Sequence, residues 1–228
     1  MKYCLFAALL LGQIFLYYSC GETPGANHTN YFSLDDGNQE KLILYSEIPQ
    51  EELDSIQKKY NWDDYNKYDN RLWEYMTVFF DDVVSKSGIQ EREELWLKLN
   101  RPQKVFWTFL AFSGDTDNGG IYQFLFNKPE FVLAADEMWK EIGMDQISSD
   151  YQKVLEESGK KGEIAEIKET FKNGSQTNEE RWIAFSDGYK EFESAKIIED
   201  YYYEDAFKKE CHKTAADYIE THLDKFRK

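Results

Sequence analysis

Hydrophobic residues recur every three or four positions through most of the chain after residue 47, a spacing that places them on one face of an α-helix. The clearest stripe consists of Leu72, Tyr75, Met76, Phe79 and Val83. Gly88 follows it as a stop, similar stripes follow Pro102 and Pro129, and a last stripe runs from about Tyr203 to Phe226. No segment shows sustained alternation of polar and apolar residues, and the best strand candidate, Lys41–Tyr45, is short.

Residues that begin or interrupt helices stand between these stripes. Pro49 precedes three polar residues, two of them acidic, which suits the first turn of a helix. Thr177–Glu180 has the pattern of a capping box. Gly119 and Gly120 permit a sharp turn between two apolar helices, with Asp117 or Asn118 as the cap of the second. Together these patterns predict an all-α fold.

The N-terminus has the pattern of an export signal. Lys2 gives a minimal positive region, and Tyr3–Tyr18 is almost wholly apolar but shorter than the ~20 residues of a membrane-spanning helix. Ser19 and Cys20 then resemble a bacterial lipobox, in which a small residue precedes a lipidated cysteine, although Tyr17 replaces the usual leucine. The pattern predicts an exported lipoprotein of the bacterial cell envelope, held to the membrane by lipid on Cys20. Ordinary cleavage and an uncleaved anchor are the alternatives.

These boundaries divide the chain into a signal peptide (1–19), a tether (20–46) and a single compact multi-helix domain (47–228). The chain has three cysteines. Cys4 leaves with the signal and Cys20 carries lipid, so no partner remains to form a disulfide with Cys211. A zinc site built on cysteines is excluded for the same reason.

Charge limits the choice of partner. The formal net charge is -16, from 43 acidic and 27 basic residues among 228. Residues 83–130 are balanced, with six acids and six bases, whereas both flanking regions are strongly acidic. An acidic surface repels phosphates, so direct nucleic-acid binding is not expected, and it attracts a basic protein. Solubility is the simpler interpretation of the same charge.

One acidic and aromatic run is a candidate docking surface. It consists of Asp200, Tyr201, Tyr202, Tyr203, Glu204 and Asp205. Tyrosine rings supply large contact areas at a low cost in side-chain entropy, and carboxylates attract basic side chains. The alternative is the start of a helix, with its tyrosines divided between core and surface.

A second candidate site lies around the paired glycines. Asp115, Asp117, Asn118 and Gln123 are polar groups close together in sequence, and an enzyme of unknown reaction with a pocket near Asp115–Gln123 is the alternative to a docking protein. An EF-hand is excluded, because the fifth and twelfth positions of a loop starting at Asp115 hold glycine and phenylalanine instead of oxygen ligands.

Other signals of metal, cofactor or catalytic chemistry are missing from the sequence. His28, His212 and His222 lack the spacing of a metal site. The sequence contains no nucleophile elbow, no P-loop and no dinucleotide fingerprint. We therefore predict no catalytic residues, no metal and no cofactor.

The middle of the chain resembles the bacterial DNA-mimic protein family. The start Arg101–Phe106 is similar to the family's R-P-Q-x-V pattern, and the segment that follows is similar to N-N-G-G-F-x-Q-F-F-x-N. Six residues match the second pattern: Asn118, Gly119, Gly120, Gln123, Phe124 and Asn127. Asp117 replaces its first asparagine and Ile121 its phenylalanine. A Y-I-x-x-H pattern is met by Tyr218, Ile219 and His222.

The resemblance covers roughly Leu95–Lys228 and implies an all-helical fold, often dimeric, with no known catalytic residue or cofactor. The best-understood member uses an acidic surface to occupy a DNA-binding regulator. An exported protein would never meet a cytoplasmic repressor, so we expect the acidic surface to dock a basic protein outside the cytoplasm. An immunity-like binder of a cationic toxin is one form of this hypothesis, and a homodimer is left open.

Overall fold

The computed structural model describes residues 31–36, 44–60, 62–64, 70–161 and 177–228. In these ranges the chain is built from α-helices, which confirms the predicted all-α fold. The helices are α1 (Gln50–Lys59), α2 (Asn70–Met76), α3 (Asp82–Ser87), α4 (Arg92–Lys98), α5 (Arg101–Asn127), α6 (Val132–Glu141), α7 (Asp145–Lys161), α8 (Asn178–Glu191), α9 (Glu193–Tyr202) and α10 (Asp205–Thr221). Short 3-10 turns lie at Trp62–Asp64, Pro129–Phe131 and Leu223–Lys225, and a π-helical turn, Thr77–Asp81, joins α2 to α3.

The long helix α5 lies at the centre of the core and contacts α6, α8, α9 and α10. Its start is fixed by a capping box, because the Asn100 side chain accepts from the Gln103 amide and Gln103 Oε1 accepts from the Asn100 amide, each at 3.1 Å. Buried residues lie on all sides of its first half, as expected of a helix surrounded by others. The R-P-Q-x-V segment is therefore the start of the central helix, with Pro102 in its first turn.

Several other predicted boundaries are confirmed. The helix expected after Pro49 is α1, and the predicted capping box at Thr177 starts α8, where the Thr177 hydroxyl accepts from the Glu180 amide. Gly88 follows α3 in the left-handed conformation, with φ 69°. The last helix is shorter than predicted: it ends at Thr221, and the chain then turns so that Phe226 is fully buried.

The predicted tether needs correction, because part of it packs into the core. Phe32 and Leu34 are buried, and the Phe32 ring stacks on Trp96 with centroids 4.5 Å apart. Glu137 holds this segment in place by accepting from the Leu34 amide at 2.7 Å and the Ser33 hydroxyl at 3.0 Å. The packed domain therefore includes residues 31–36. The predicted signal peptide, Cys20 and the remainder of the tether up to residue 43 lie outside the described residues.

The segment 44–46 lies beside the C-terminal end of the chain. Ser46 forms an isolated parallel bridge with Arg227, and the Asn100 side chain donates to the Lys225 carbonyl at 2.7 Å. The strand candidate Lys41–Tyr45 lies partly outside the described residues, and its described part, 44–45, is in neither helix nor strand. Among the described helices, none combines the length and apolar character needed to cross a membrane.

Candidate functional site: the acidic edge beside the helix kink

The paired glycines kink α5, as the sequence predicted. Gly120 has φ 83° and ψ 178°, a conformation that side-chain-bearing residues rarely adopt. The kink leaves the amide of Ile121 without a partner from the preceding turn. The expected caps, Asp117 and Asn118, do not satisfy it; Glu199 of α9 does, because its Oε1 accepts from the Ile121 amide at 2.8 Å. A carboxylate suits this position, since the N-terminus of a helix carries a partial positive charge.

Glu199 also ties a third helix to the kink. Its second oxygen, Oε2, accepts from the Tyr189 hydroxyl of α8 at 2.9 Å. A Cβ atom at Gly120 would lie 2.9 Å from the Glu199 carboxyl carbon and closer still to Oε1. Two features therefore favour glycine at position 120: the backbone conformation and the close approach of the Glu199 carboxylate.

The two sequence regions singled out as candidate sites meet at this kink. The Tyr203 hydroxyl donates to the Thr116 carbonyl at 2.7 Å, so the end of α9 lies against the last turn of α5 before the kink. Lys208 of α10 forms an ion pair with Asp117. We define the acidic edge as Asp117, Asp200, Tyr203, Glu204 and Asp205. Neither the periodicity nor the motif had placed Asp117 beside the run that ends at Asp205.

The acidic and aromatic run is divided between core and surface. Tyr202 is buried, and Tyr201 is half-buried, with its hydroxyl 3.2 Å from the Asp150 carboxylate and its ring against Phe207. Tyr203 is 46% exposed. The three carboxylates of the run, Asp200, Glu204 and Asp205, are exposed, and within the described ranges none of them has a salt-bridge partner.

Burial keeps the phenols of this region protonated. Burial raises the pKa of Tyr202 and Tyr203 above the ordinary value, and nearby carboxylates, Asp117 for both and Glu199 for Tyr203, raise it further. A protonated phenol donates a hydrogen bond, which is the role that Tyr203 has toward Thr116. The aromatic rings of the edge are therefore neutral at physiological pH.

Asp115, Gln123 and Asn127 form a separate polar cluster. Asp115 Oδ1 accepts from the Asn127 amide group at 2.7 Å and from the Gln123 amide group at 3.4 Å. Burial raises the pKa of the Asp115 carboxyl, and it lowers the pKa of the nearby Lys128 ammonium to about 8. Asn118 instead donates to the Gly114 carbonyl at 2.7 Å, one turn earlier in α5. Phe124 is fully buried.

An open cleft of about 200 Å³ lies next to that cluster, between α5 and α8. It is lined by Gln123, Phe126, Asn127, Arg181, Trp182 and Phe185. The enzyme hypothesis required one pocket lined by Asp115, Asp117, Asn118 and Gln123. Of these four residues only Gln123 contributes to the lining of this cleft. Asp117 instead forms its ion pair with Lys208 of α10.

Cys211 and the two histidines of α10 and its C-terminal end pack against neighbouring side chains. Cys211 is buried, and burial raises the pKa of its thiol, so it is a core residue rather than a nucleophile. His212 is buried beside the ring of Phe109, and burial lowers the pKa of its imidazole to about 4. His222 contacts the Tyr218 ring and carbonyl. Over the described part of the chain, no three His, Cys, Asp or Glu side chains form a group that could hold a metal ion.

Two residues that organise the edge were missed by the sequence reasoning. Glu199 and Lys208 each lie on a helix rich in charged residues, where neither spacing nor residue type distinguishes them from solvated neighbours. The paired glycines were the available signal for Glu199, since they indicate a close approach by another group, although not which group.

The fold and the edge together define an acidic, all-helical domain with exposed carboxylates. The chain matches the model of the family described as DMP19-like protein over residues 97–222. This match covers more than half of the 228 residues, so the chain belongs to that family, as the resemblance to DNA-mimic proteins had indicated. No curated protein and no solved structure is significantly similar to the chain.

Proposed function

We propose that this protein is an acidic interaction module that docks a basic protein through the acidic edge. Membership of the DNA-mimic family supports an acidic protein-interaction role in general. The observation that carries the proposal is the contact of the half-exposed Tyr203 with Thr116, which brings the run containing the exposed Asp200, Glu204 and Asp205 to the part of α5 that holds Asp117. An exposed ring within a carboxylate-rich run supplies contact area, while the carboxylates select basic partners.

The electrostatics of the edge favour such a partner. A net charge of -16 attracts a cationic protein over several ångströms and accelerates the encounter. Because Asp200, Glu204 and Asp205 have no salt bridge among the described residues, a partner's lysine or arginine need not displace a cation to reach these three. The contribution of exposed charges is screened by salt, so binding should weaken steeply as the ionic strength rises.

The first test compares two variants with the same change in charge. One carries Asp200→Asn, Glu204→Gln and Asp205→Asn; its control carries Glu47→Gln, Glu51→Gln and Glu52→Gln, three exposed acids in the first turn of α1 and just before it. Each variant is used as bait in a pull-down from envelope extract, with washes of rising salt. A basic protein that the wild type and the control retain, and that the edge variant loses, supports the proposal.

The same partner is then measured by titration in about 50 mM and about 500 mM salt. We expect the edge variant to bind about tenfold more weakly at low salt and to show a flatter salt dependence, since each exposed ion pair contributes roughly 0.2–1 kcal/mol. Equal losses in the two variants would reduce the effect to net charge and reject the edge as the docking surface. Affinity that is the same at both salt concentrations would reject an electrostatic partner altogether.

We further propose that the protein acts outside the cytoplasm, as a lipoprotein anchored through Cys20. The support is the sequence pattern of a positive start, an apolar stretch and Ser19–Cys20. The test is metabolic labelling with an alkyne fatty acid in wild type, Cys20→Ala and the control Cys211→Ala. Label in the wild type and the control, but not in Cys20→Ala, is the expected result. An unlabelled wild type recovered from the cytoplasmic fraction would contradict the proposal.

A further inference from the structure

The acidic edge already holds a cation that belongs to the chain itself. The ammonium of Lys208 pairs with the Asp117 carboxylate and lies 4.9 Å from the ring centroid of Tyr202 and 5.5 Å from that of Tyr203. A carboxylate and two electron-rich rings around one position form a seat for an alkylammonium or guanidinium group. Other ion pairs, such as Lys98–Glu94, Lys140–Asp136 and Lys213–Asp217, join neighbouring turns of one helix at the surface, whereas Lys208 pairs with a different helix and lies beside two rings.

The position of the seat makes it part of the docking surface. Tyr203 lines the seat and is also the exposed ring of the edge, and Asp117 keeps 37% of its side chain exposed although it is paired. The Lys208 side chain is 11% exposed, so its ammonium lies beneath the surface while the carboxylate that it neutralises can still be reached from solvent. A lysine stem has four rotatable carbons, which allow the ammonium to leave the seat and reach water without movement of the helix.

We infer that Lys208 is an internal competitor of the basic partner: it occupies the seat that a lysine or arginine of the partner takes in the complex. This inference rests on the proposed function, because it describes regulation of the same surface. In the unbound protein Lys208 neutralises Asp117 and covers the rings, which lowers the attraction for cationic proteins that offer only diffuse charge. A partner gains the seat only if it presents a basic side chain at the place of the Lys208 ammonium.

A purely structural role is the alternative interpretation of this ion pair, and it predicts the opposite effect on binding. If Lys208 only holds α10 against the kink, its removal loosens the edge and weakens docking. If Lys208 competes, its removal frees Asp117 and the two rings, and docking becomes tighter.

The test replaces Lys208 by methionine, which keeps the length of the side chain and removes its charge. Lys209→Met is the matched control, since it makes the same change in net charge one residue further along α10, where the structure shows no contact with Asp117. Binding of a fluorescein-labelled oligoarginine peptide is measured by anisotropy at low salt, and the thermal midpoint of each variant shows that it is folded.

We expect Lys208→Met to bind the peptide about fivefold more tightly than the wild type and Lys209→Met at most about twofold more tightly, because only the first change vacates a specific seat. Adding Asp117→Asn should abolish the gain from Lys208→Met, since the competitor acts through that carboxylate, and it should leave the effect of Lys209→Met unchanged.

The outcomes separate the inference from the function on which it rests. Equal gains in the two lysine variants, or weaker binding by a folded Lys208→Met protein, would overturn the competitor while leaving the docking surface intact. A gain that persists with Asp117→Asn would overturn it as well. If the wild type fails to bind oligoarginine in a salt-dependent way, both the docking function and the competitor are refuted.

Discussion

The kink in α5 places the Glu199 carboxylate against Gly120, and Gly120→Ala tests what a side chain costs there. The backbone there has φ 83° and ψ 178°, and a Cβ atom would lie 2.9 Å from the Glu199 carboxyl carbon. An alanine must therefore adopt a conformation that is almost restricted to glycine and must also displace the carboxylate that caps Ile121.

The size of the effect follows from these two costs. Holding a residue other than glycine in such a conformation costs roughly 1–3 kcal/mol. Losing a hydrogen bond to a charged acceptor costs about 1.5–3 kcal/mol more. A loss of about 3–5 kcal/mol lowers the thermal midpoint of a domain of this size by roughly 10 °C.

Two other glycines of α5 provide matched controls. Gly114 has helical geometry with nothing within 4 Å of a Cβ atom, so Gly114→Ala should raise the stability by about 0.5–1 kcal/mol. Gly119 has φ -165°, which any residue can adopt, and its Cβ would meet the movable end of the Gln123 side chain. Gly119→Ala should therefore cost less than Gly120→Ala.

Urea unfolding followed by far-ultraviolet circular dichroism measures all three variants under one set of conditions. The expected order of stability is Gly114→Ala above the wild type, then Gly119→Ala, then Gly120→Ala. A Gly120→Ala protein within about 1 kcal/mol of the wild type would refute the reasoning, because the strain and the lost cap each exceed that value. Equal costs at Gly119 and Gly120 would also refute it, since the argument depends on their different backbone conformations.

Two further predictions concern stability away from the kink. Phe32→Ala should cost about 3–4 kcal/mol in urea unfolding, because it removes a ring stacked in the core; Leu133→Ala, at an exposed position, should cost little, and equal costs would contradict the packing of residues 31–36. Burial raises the pKa of Asp81 to about 6, so ionisation opposes folding as pH rises from about 4 to 6. Asp81→Asn should therefore gain stability relative to the wild type across that range, and a constant difference would refute this.

The sequence predicted those parts of the fold that depend on local patterns. The stripe ending at Gly88 and the capping box at Thr177 are contained within one or two helical turns, and both are present in the structure. The tether was misjudged at 31–36, because its polar and glycine-rich surroundings concealed two apolar residues, Phe32 and Leu34, that reach the core. The π-helical turn at Thr77–Asp81 has no local signature in the sequence and was missed.

The candidate site was predicted in pieces and not as a whole. The motif around Gly119–Gly120 and the run Asp200–Asp205 were both singled out, but their contact through Tyr203 and Thr116 joins residues 87 positions apart. Periodicity indicates which face of a helix is buried and cannot indicate which distant helix covers it. The caps expected from nearest neighbours, Asp117 and Asn118, were likewise replaced by a carboxylate from a later helix, Glu199.

The packing of Phe32 limits the length of the linker between Cys20 and the folded domain. Phe32 is buried in the core and follows Cys20 by twelve residues, which span at most about 40 Å when fully extended. A globular domain of this size is itself roughly 40 Å across. If lipid is attached to Cys20 as proposed, the domain can move away from the bilayer by no more than about its own diameter. Its partners would then be proteins that reside at that membrane or reach its surface.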